Sequence, residues 1–377
     1  YAYYNTTVNL KNCVVWGNTP NQMYAQSTTI NVTYSDVQGG WGGTGNIDAD
    51  PLFVSAATGD YRLQPASPCI DTGDPATTDL DGTRADMGAF PTTQNTVSGS
   101  VSGVWYKANS PYRVLGPITI EGENSLIIEP GVDVLFDADV ELQVMYGSLQ
   151  AVGTAQDSIR FLRGHAAEWG GIAIHGGNSV ISYARISGAA TPGGDFGRAD
   201  GGGLCVDYGT ALISHCTISG NRAARWGGGV AATYNAWTTL DKCLITGNTA
   251  DVNGSGASYY MGGEGDGALT ITNSTIANNT APAGAAALYT NWPIHVTVRN
   301  SILWADIPTG QIAWEGEWAT VSAEYCDIQG GYEGAGNISA DPMFVDGDFH
   351  LSVGSPCINA GAGEVANDPD GSPPDLG

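Results

Sequence analysis

Residues 201–221 read GGGLCVDYGTALISHCTISGN, and residues 227–248 repeat the pattern as GGGVAATYNAWTTLDKCLITGN. In both stretches apolar residues alternate with polar ones until a Gly-Asn pair closes the segment. Alternation with a period of two is typical of a β-strand that buries one face. The pattern returns in LTITNSTIANN (269–279), VTVRNSILWAD (296–306) and, near the start, VNLKNCVVWGN (8–18). The chain is therefore built from strand-bearing repeats.

The repeat is too short to fold alone. Cys216, Cys243, Ser274, Ser301 and Cys326 occupy one repeat position, at spacings of 27, 31, 27 and 25 residues. A unit of that size with two or three strands and no helical pattern cannot bury a face by itself, whereas stacked units can. We therefore predict a parallel β-helix, an all-β solenoid in which each strand lies in register on the strand of the previous coil.

Two columns of the repeat predict contacts between coils. Asn221, Asn248 and Asn279 align at a corner, where glycine and asparagine tolerate a left-handed backbone. Their alignment favours a ladder of amides bonded from coil to coil, and independent turn asparagines are the alternative. Cys216 and Cys243 share another column, where we expect buried thiols, with a disulfide as the alternative.

Two motifs resemble known proteins. The repeat, glycine-rich at its start and ending in Cys-x-Ile-x-x-Asn, resembles the right-handed parallel β-helix proteins of the pectate-lyase-like superfamily. The stretch GNIDADPLFV…GDYRL…SPCIDTG (45–73) and its copy GNISADPMFV…GDFHL…SPCINAG (336–361) are similar to the terminal element of secreted bacterial β-helix repeat proteins. Residues 101–136 are similar to the start of such a helix. The resemblance implies a right-handed coil and a secreted or surface setting, and it says little about activity.

These motifs divide the chain into two modules. Residues 1–91 are predicted to hold the last coils and the terminal element of a β-helix that lacks its start. Residues 92–100 are polar and form a linker. A second β-helix follows over 101–377, with its start at 101–178, long coils at 179–319 and a terminal element at 320–377.

Charge and composition restrict the partners. The 377 residues carry a formal charge of −25, so nucleic acid and anionic membranes are unfavourable partners. No run approaches the roughly 20 apolar residues of a membrane span. The seven cysteines form no Cys-x-x-Cys pair, which disfavours a zinc site. We expect a secreted or cell-surface protein.

The sequence offers no catalytic constellation. Hydrolases and lyases of the superfamily that the repeats resemble use paired carboxylates, or calcium-binding carboxylates with a base. Asp207, Asp241, Arg185 and Arg299 fall in different columns, and the five histidines do not cluster, so we name no catalytic residue and do not expect an enzyme. Aromatic residues are the better indication of binding. Trp292, Trp304, Trp314 and Trp318 could form a stacking platform for sugar rings, or they could cover an edge or a protein interface.

An Asp-x-Asp-Gly motif occurs twice and is the strongest metal candidate. It comprises Asp79, Asp81 and Asp86 in the first copy and Asp368, Asp370 and Asp375 in the second. Aspartates at alternate positions before glycine resemble the opening of calcium loops. A tight Asp-Gly turn with side-chain-to-backbone bonds is the alternative. Calcium is the only cofactor that the sequence predicts.

The function predicted is structural or adhesive, in an extracellular fibre or filament. A coil stack whose first strand has an open edge seeks a partner. We therefore expect residues 1–18, including Tyr1, Tyr3 and Tyr4, to pair with the region 341–377 of another copy, head to tail. A carbohydrate-binding or carbohydrate-active β-helix is the alternative.

Overall fold

The computed structural model describes residues 2–3 (backbone only), 6–64, 67–79, 83–92, 95–137, 139–164, 168–191, 200–260, 267–282, 286–291, 294–306, 310–316, 319–345, 347, 349–362 and 371–377. These residues form short strands and two 3₁₀ turns. The chain divides into two compact units, residues 1–96 and 97–377, which we call the first and second units.

The described residues of the first unit form eight strands and one 3₁₀ turn. They are β1 (Ala2–Tyr3), β2 (Thr7–Lys11), β3 (Val14–Val15), β4 (Ala25–Gln26), β5 (Thr29–Thr33), β6 (Asp36–Val37), β7 (Phe53–Ser55), the turn Ala56–Thr58 and β8 (Asp60–Leu63).

The second unit, with the strand that enters it, carries the remaining strands and the 3₁₀ turn Lys107–Asn109. They are β9 (Asn95–Ser100), β10 (Gly103–Trp105), β11 (Tyr112–Glu121), β12 (Ser125–Ile128), β13 (Asp133–Phe136), β14 (Leu142–Met145), β15 (Ser148–Val152), β16 (Ile159–Arg163), β17 (Ile172–His175), β18 (Asn178–Ser182), β19 (Ala184–Ser187), β20 (Ala190–Thr191), β21 (Leu204–Asp207), β22 (Thr210–Ser214), β23 (Thr217–Ser219), β24 (Arg222–Ala223), β25 (Val230–Thr233), β26 (Trp237–Asp241), β27 (Leu244–Thr246), β28 (Thr249–Ala250), β29 (Ala257–Tyr260), β30 (Ala268–Thr272), β31 (Thr275–Ala277), β32 (Leu288–Asn291), β33 (His295–Arg299), β34 (Ile302–Trp304), β35 (Ile312–Glu315), β36 (Thr320–Glu324) and β37 (Asp327–Ile328).

Each coil of the second unit contributes one strand to each of three parallel sheets. One sheet runs β10-β12-β15-β18-β22-β26-β30-β33-β36. The second runs β14-β17-β21-β25-β29-β32-β35, and the third runs β13-β16-β19-β23-β27-β31-β34-β37. The strands meet in register, so Ile218 pairs with Ile245 and Ile245 with Ile276. The all-β parallel solenoid that the repeats predict is therefore confirmed.

The interior is filled by the alternate residues of these strands. In the nine-stranded sheet the inward positions carry Ile213, Leu240, Ile271 and Val298, all fully buried. Burying one such side chain contributes about 1.5–3 kcal/mol, and a stack repeats that contribution at every coil. Near the start of the unit the rings of Phe136 and Trp169 stack 4.0 Å apart. The core is thus a set of parallel columns and needs no contact between distant coils.

The asparagine ladder predicted at the corner is present. Asn221 Nδ2 donates to Asn248 Oδ1 and Asn248 Nδ2 to Asn279 Oδ1, both at 3.0 Å. Asn279 Nδ2 in turn donates to Asp306 Oδ1 at 2.9 Å. Buried amide groups cost free energy when they are unpaired. In this ladder the side-chain oxygen of each coil accepts a hydrogen bond from the side-chain amide of the coil before it. An aspartate closes the series.

The predicted buried thiols are also present. Cys216 and Cys243 are free and buried, and each Sγ contacts a backbone carbonyl of the preceding coil, at Ile181 and Ile213. Free cysteine packs there as a small apolar residue.

Each terminal element is fastened by the same buried bond. In the first unit Cys69 Sγ donates to Asp36 Oδ2 at 3.2 Å, and in the second Cys357 Sγ donates to Asp327 Oδ2 at 3.1 Å. The other oxygen of each carboxylate accepts a backbone N–H, from Ala49 and from Ala340. Burial raises the pKa of both carboxyl groups. The SPCI motif therefore supplies the thiol that holds the terminal element on the last coil.

We predict that Asp306→Asn makes unfolding less dependent on pH. Asp306 is buried, its Oδ2 has no hydrogen-bond partner among the described residues, and burial raises its pKa to about 7. The folded state thus holds a proton that the unfolded state loses near pH 4, so this group's stability contribution falls as pH rises from about 4 through 7. The asparagine variant should be more stable at pH 8 by about 1–3 kcal/mol.

Urea unfolding at pH 5 and pH 8 measures this effect. The gain of the variant over the parent should grow with pH, and Asp139→Asn, at an exposed aspartate, serves as the control. A gain that is the same at both pH values would contradict the assignment.

Candidate functional site

One outward column of the second sheet carries polar and aromatic side chains. His175 pairs in register with Asp207, Asp207 with Thr233 and Thr233 with Tyr260, each at the last position of its strand. His175 Nδ1 lies 3.2 Å from Asp207 Oδ2. Asp207 Oδ1 is buried and has no hydrogen-bond partner among the described residues. Asp207 therefore contacts the imidazole through one carboxylate oxygen and keeps its other oxygen as a hydrogen-bond acceptor.

A layered cluster lies beside this column. The ring of Trp226 stacks on Tyr260 at 3.6 Å, and the guanidinium of Arg225 lies over Trp226 at 4.2 Å. Arg225 also forms an ion pair with Asp200 at 2.7 Å, and that aspartate is buried. A cation on an aromatic face contributes about 0.5–2 kcal/mol. The cluster therefore holds the segment before β25 against the outer face of the sheet.

The chemistry of this column is limited. The hydrogen bonds of the described residues give His175 one carboxylate partner and place no hydroxyl on its other nitrogen. A nucleophile activated by histidine needs that second contact. The arrangement suits hydrogen bonding to a ligand, and it supplies no acid–base pair with defined roles.

The sequence contained a signal for this column that our reading missed. His175 and Asp207 belong to IAIHG and LCVDY, where each follows the same number of strand residues. Thr233 and Tyr260 stand at the equivalent place in VAATY and ASYYM. Comparing the last strand position across repeats would have brought them together, whereas a search for clusters along the chain could not.

Two of the four tryptophans of the predicted platform lie among the described residues, and they belong to different sheets. Trp314, 49% exposed, lies on the last strand of the second sheet, with its ring edge-on to Tyr332 at 6.1 Å. Trp304 lies on the third sheet and packs half-buried with Ile302 and Cys357 of the terminal element. Trp292 and Trp318 lie outside the described residues, so the four-ring platform stays a prediction.

An aromatic cleft in the first unit is a stronger binding feature. Its volume is about 470 Å³, which falls within the range of about 300–1,000 Å³ that is typical of ligand pockets. Its apolar lining includes Val14, Trp16, Phe53, Tyr61 and Phe90. Phe53 and Tyr61 meet edge to face at 5.3 Å. Their counterparts in the second unit, Phe344 and Phe349, meet in the same way at 5.2 Å.

The aspartates of the metal motif are hydrogen-bonded to backbone. Asp86 accepts the N–H of Asp71 at 2.8 Å and of Thr92 at 2.7 Å, and Asp79 accepts the N–H of Asp86 at 2.7 Å. Burial, with Asp79 and Asp71 nearby, raises the pKa of Asp86 to about 6. Asp375 accepts the N–H of Asn359 at 2.8 Å.

Asp81, Asp368 and Asp370 lie outside the described residues. Within the part of the chain that the structure describes, no group of three His, Cys, Asp or Glu side chains has metal-binding geometry. Asp79 and Asp86 make the side-chain-to-backbone bonds that the turn alternative expects, and burial is the main cause of the raised pKa of Asp86. Calcium remains a prediction.

Of the three tyrosines predicted to take part in assembly, the structure describes only the backbone of Tyr3. Tyr3 lies in β1, which pairs in parallel with β4, and its side chain is not described. Tyr1 and Tyr4 lie outside the described residues.

The comparison with known families agrees with this geometry. Residues 154–322 match the family described as the right handed beta helix region. Together with the three parallel sheets of the second unit, this match confirms the predicted right-handed parallel β-helix as the class of fold. No curated protein matches the chain. Among the described residues, no helix is long and apolar enough to cross a membrane.

We predict that calcium, if bound by the Asp-Gly motif, raises the melting temperature by mass action, because it binds the folded state only. Adding excess EGTA should then lower the melting temperature, and Asp79→Asn, which keeps one side-chain acceptor, should reduce the response. Asp139→Asn should respond as the parent does. A melting curve that is unchanged by EGTA would leave the aspartates as turn residues only.

Proposed function

We propose that this protein is an extracellular structural or adhesive β-helix protein that assembles head to tail. The proposal rests on one observation, the incomplete cover over the interior of the first coil. The acidic composition and the solenoid fold of the protein suit such a role, because stacked coils have ends that other coils can extend.

The same repeat positions are buried in the second unit and partly open in the first. Val296 and Val298 of β33 are fully buried, because β30 of the preceding coil lies on them. Val8 and Leu10 hold the equivalent positions of β2 and are only half-buried. They line a cavity of about 380 Å³ with Ile30, Met23 and Tyr24. Exposed apolar surface of this kind favours a partner.

Among the described residues, β2 beside this cavity has a strand partner on one side only. In the second unit the carbonyl of Arg299 accepts the N–H of Asn273 from the preceding coil at 3.0 Å. Lys11 holds the equivalent position on β2, whose one strand partner among the described residues is β5. The side-chain ladder of this sheet begins at Asn9, whose Oδ1 accepts Asn31 Nδ2 at 2.9 Å. Both the backbone and the side chains are therefore ready to accept another strand.

The terminal element of the second unit offers a matching apolar surface. A short antiparallel hairpin forms where Val345 N donates to His350 O at 2.8 Å and Ser352 N to Met343 O at 3.0 Å. Met343, Val345 and Val353 on this hairpin are exposed, Val353 by 99%. The last coil itself is covered, since Tyr332 Oη and Asn337 Nδ2 bond the carbonyls of Val321 and Ala323. We assign the hairpin as the tail that meets β2 of another copy.

We predict that Val8→Asp and Val353→Asp each abolish self-association, because a buried, unpaired carboxylate at the joint is unfavourable. Sedimentation of the parent should show oligomers that grow with concentration, while each variant stays monomeric. Val152→Asp, at an exposed valine on β15, is the control and should associate as the parent does.

A mixture of the two variants distinguishes a head-to-tail joint from nonspecific association. Val353→Asp retains an intact head and Val8→Asp an intact tail, so the mixture should form dimers and stop there. A parent that remains monomeric at high concentration, or variants that still form filaments, would overturn the proposal.

The aromatic cleft supports a second candidate function, binding of a neutral sugar ring. No charged side chain lines the cleft among the described residues, and its rings are partly exposed. Tyrosine and tryptophan offer an apolar face and a polar edge, which suits a pyranose.

We predict that Tyr61→Ala weakens binding of neutral hexasaccharides of glucose, xylose, mannose or N-acetylglucosamine at least tenfold, because it removes one wall of the cleft. Titration calorimetry measures the effect, and Tyr208→Ala, at an exposed tyrosine of the second unit, is the control. Absence of binding to all four hexasaccharides by the parent would reject this candidate.

A further inference from the structure

A row of tyrosines lies at the corner between the second sheet and the nine-stranded sheet. On five successive coils the last strand positions before this corner pair in register; they are Glu121, Met145, His175, Asp207 and Thr233. The residue after each of them belongs to one corner row, which reads Gly122, Tyr146, Gly176, Tyr208 and Tyr234. Tyr146 is 71% exposed and Tyr208 is 56% exposed. Large aromatic side chains therefore face solvent along one line of the solenoid.

The backbone of this corner favours glycine, yet three of its five positions hold tyrosine. All five residues have φ between 49° and 73°, a left-handed conformation that is unfavourable for residues with a Cβ atom. The rings of Tyr208 and Tyr234 stack at 4.7 Å, which offsets part of this cost. Among the described residues, no ring stacks on Tyr146. An unfavourable backbone conformation under an exposed aromatic side chain is typical of a functional site.

Gly176 leaves a gap in the row of rings. Parallel strands lie about 4.8 Å apart, so Tyr146 and Tyr208, which are two coils apart, are separated by about 9.6 Å along the solenoid. A methyl group built on Gly176 would come within 2.6 Å of Cδ1 of Tyr146. This position therefore has no room for a side chain, and the ring of Tyr146 lies against the glycine. The two tyrosines present aromatic surfaces on either side of it.

The separation of the two tyrosines matches one ligand conformation. A polyproline II helix has three residues per turn and rises about 3.1 Å per residue, so its side chains one turn apart are separated by about 9.3 Å. An extended β-strand presents side chains on one face about 6.6 Å apart, which does not match. Proline-rich segments in the polyproline II conformation bind to aromatic surfaces, because they are ordered before they bind.

The charges beside the row favour a basic ligand. Glu121 is exposed, and one of its carboxylate oxygens accepts the hydroxyl of Thr119 at 3.1 Å. Desolvation and then the charge of Asp207 raise the pKa of Tyr208, so this carboxylate lies near the ring. None of the ten residues in the two rows is lysine or arginine, and the chain carries a formal charge of −25. A cationic group in the ligand is therefore attracted to this corner.

We propose that this corner binds a proline-rich segment of another protein, in the polyproline II conformation and with a lysine or arginine beside its prolines. Prolines one turn apart pack on Tyr146 and Tyr208. The basic residue pairs with Glu121, which lies one coil before Tyr146. The surface uses none of the residues of the head-to-tail joint or of the aromatic cleft.

Titration calorimetry on the full chain tests this surface with two decapeptides, each of nine prolines and one arginine. The arginine stands first in one peptide and last in the other, so that both binding directions are sampled. At least one of them should bind with a Kd below about 1 mM. Tyr146→Ala and Tyr208→Ala should each weaken this binding by about tenfold, because each removes one aromatic surface. Glu121→Gln should also weaken it, because the arginine loses its carboxylate partner.

Matched variants control for these changes. Tyr106→Ala and Glu333→Gln, at exposed residues of the second unit, should bind the decapeptides as the parent does. Tyr61→Ala should do so as well, because it alters the aromatic cleft and leaves the corner unchanged. Circular dichroism of each variant checks that the β-helix is folded.

The proposal is overturned if the parent binds neither decapeptide at about 1 mM, or if Tyr146→Ala and Tyr208→Ala both bind as the parent does. It is also overturned if Glu121→Gln binds as the parent does, or if decapeptides with glutamate in place of arginine bind equally well. Binding of a neutral hexasaccharide that is lost in Tyr146→Ala would identify the corner as a glycan site and would overturn it too.

Discussion

Parallel stacking in register is the interaction on which the rest of this structure depends. Each inner strand of the second unit pairs with the strands of the coils before and after it, and the same columns of apolar side chains fill the interior. The asparagine ladder extends this rule to the corner, because each buried amide is satisfied by the next coil. Stability is then nearly a sum over neighbouring coils.

Where a ladder or a coil stack stops, its last groups need other partners, and specific residues supply them. Asp306 closes the asparagine ladder as an acceptor, so its second oxygen is buried without a partner among the described residues. Cys69 and Cys357 fasten the two terminal elements to Asp36 and Asp327. We propose the contact with another copy at β2, where Val8 and Leu10 are half-buried.

The sequence predicted the features that repeat and missed those that depend on register. The alternation of apolar and polar residues and the aligned asparagines were sufficient to predict the solenoid and its ladder, because the same pattern recurs in every repeat. His175 and Asp207 are 32 residues apart and meet only because their strands end level with each other. The pairing of Arg160 with Arg185 likewise follows from register. Trp304 and Trp314 are close in sequence but lie on different sheets, because β34 pairs with β31 and β35 pairs with β32.

Hydrogen exchange measured by mass spectrometry tests the central claim, that each strand is protected by the coils on both sides of it. In monomeric protein the amides of β22, β26 and β30, which have a paired strand on each side, should exchange slowest, whereas β2, whose one strand partner among the described residues is β5, should exchange faster. Protection tracks the free energy of opening each segment. Rapid exchange in β26, or protection of β2 equal to that of β26 in the monomer, would contradict the account.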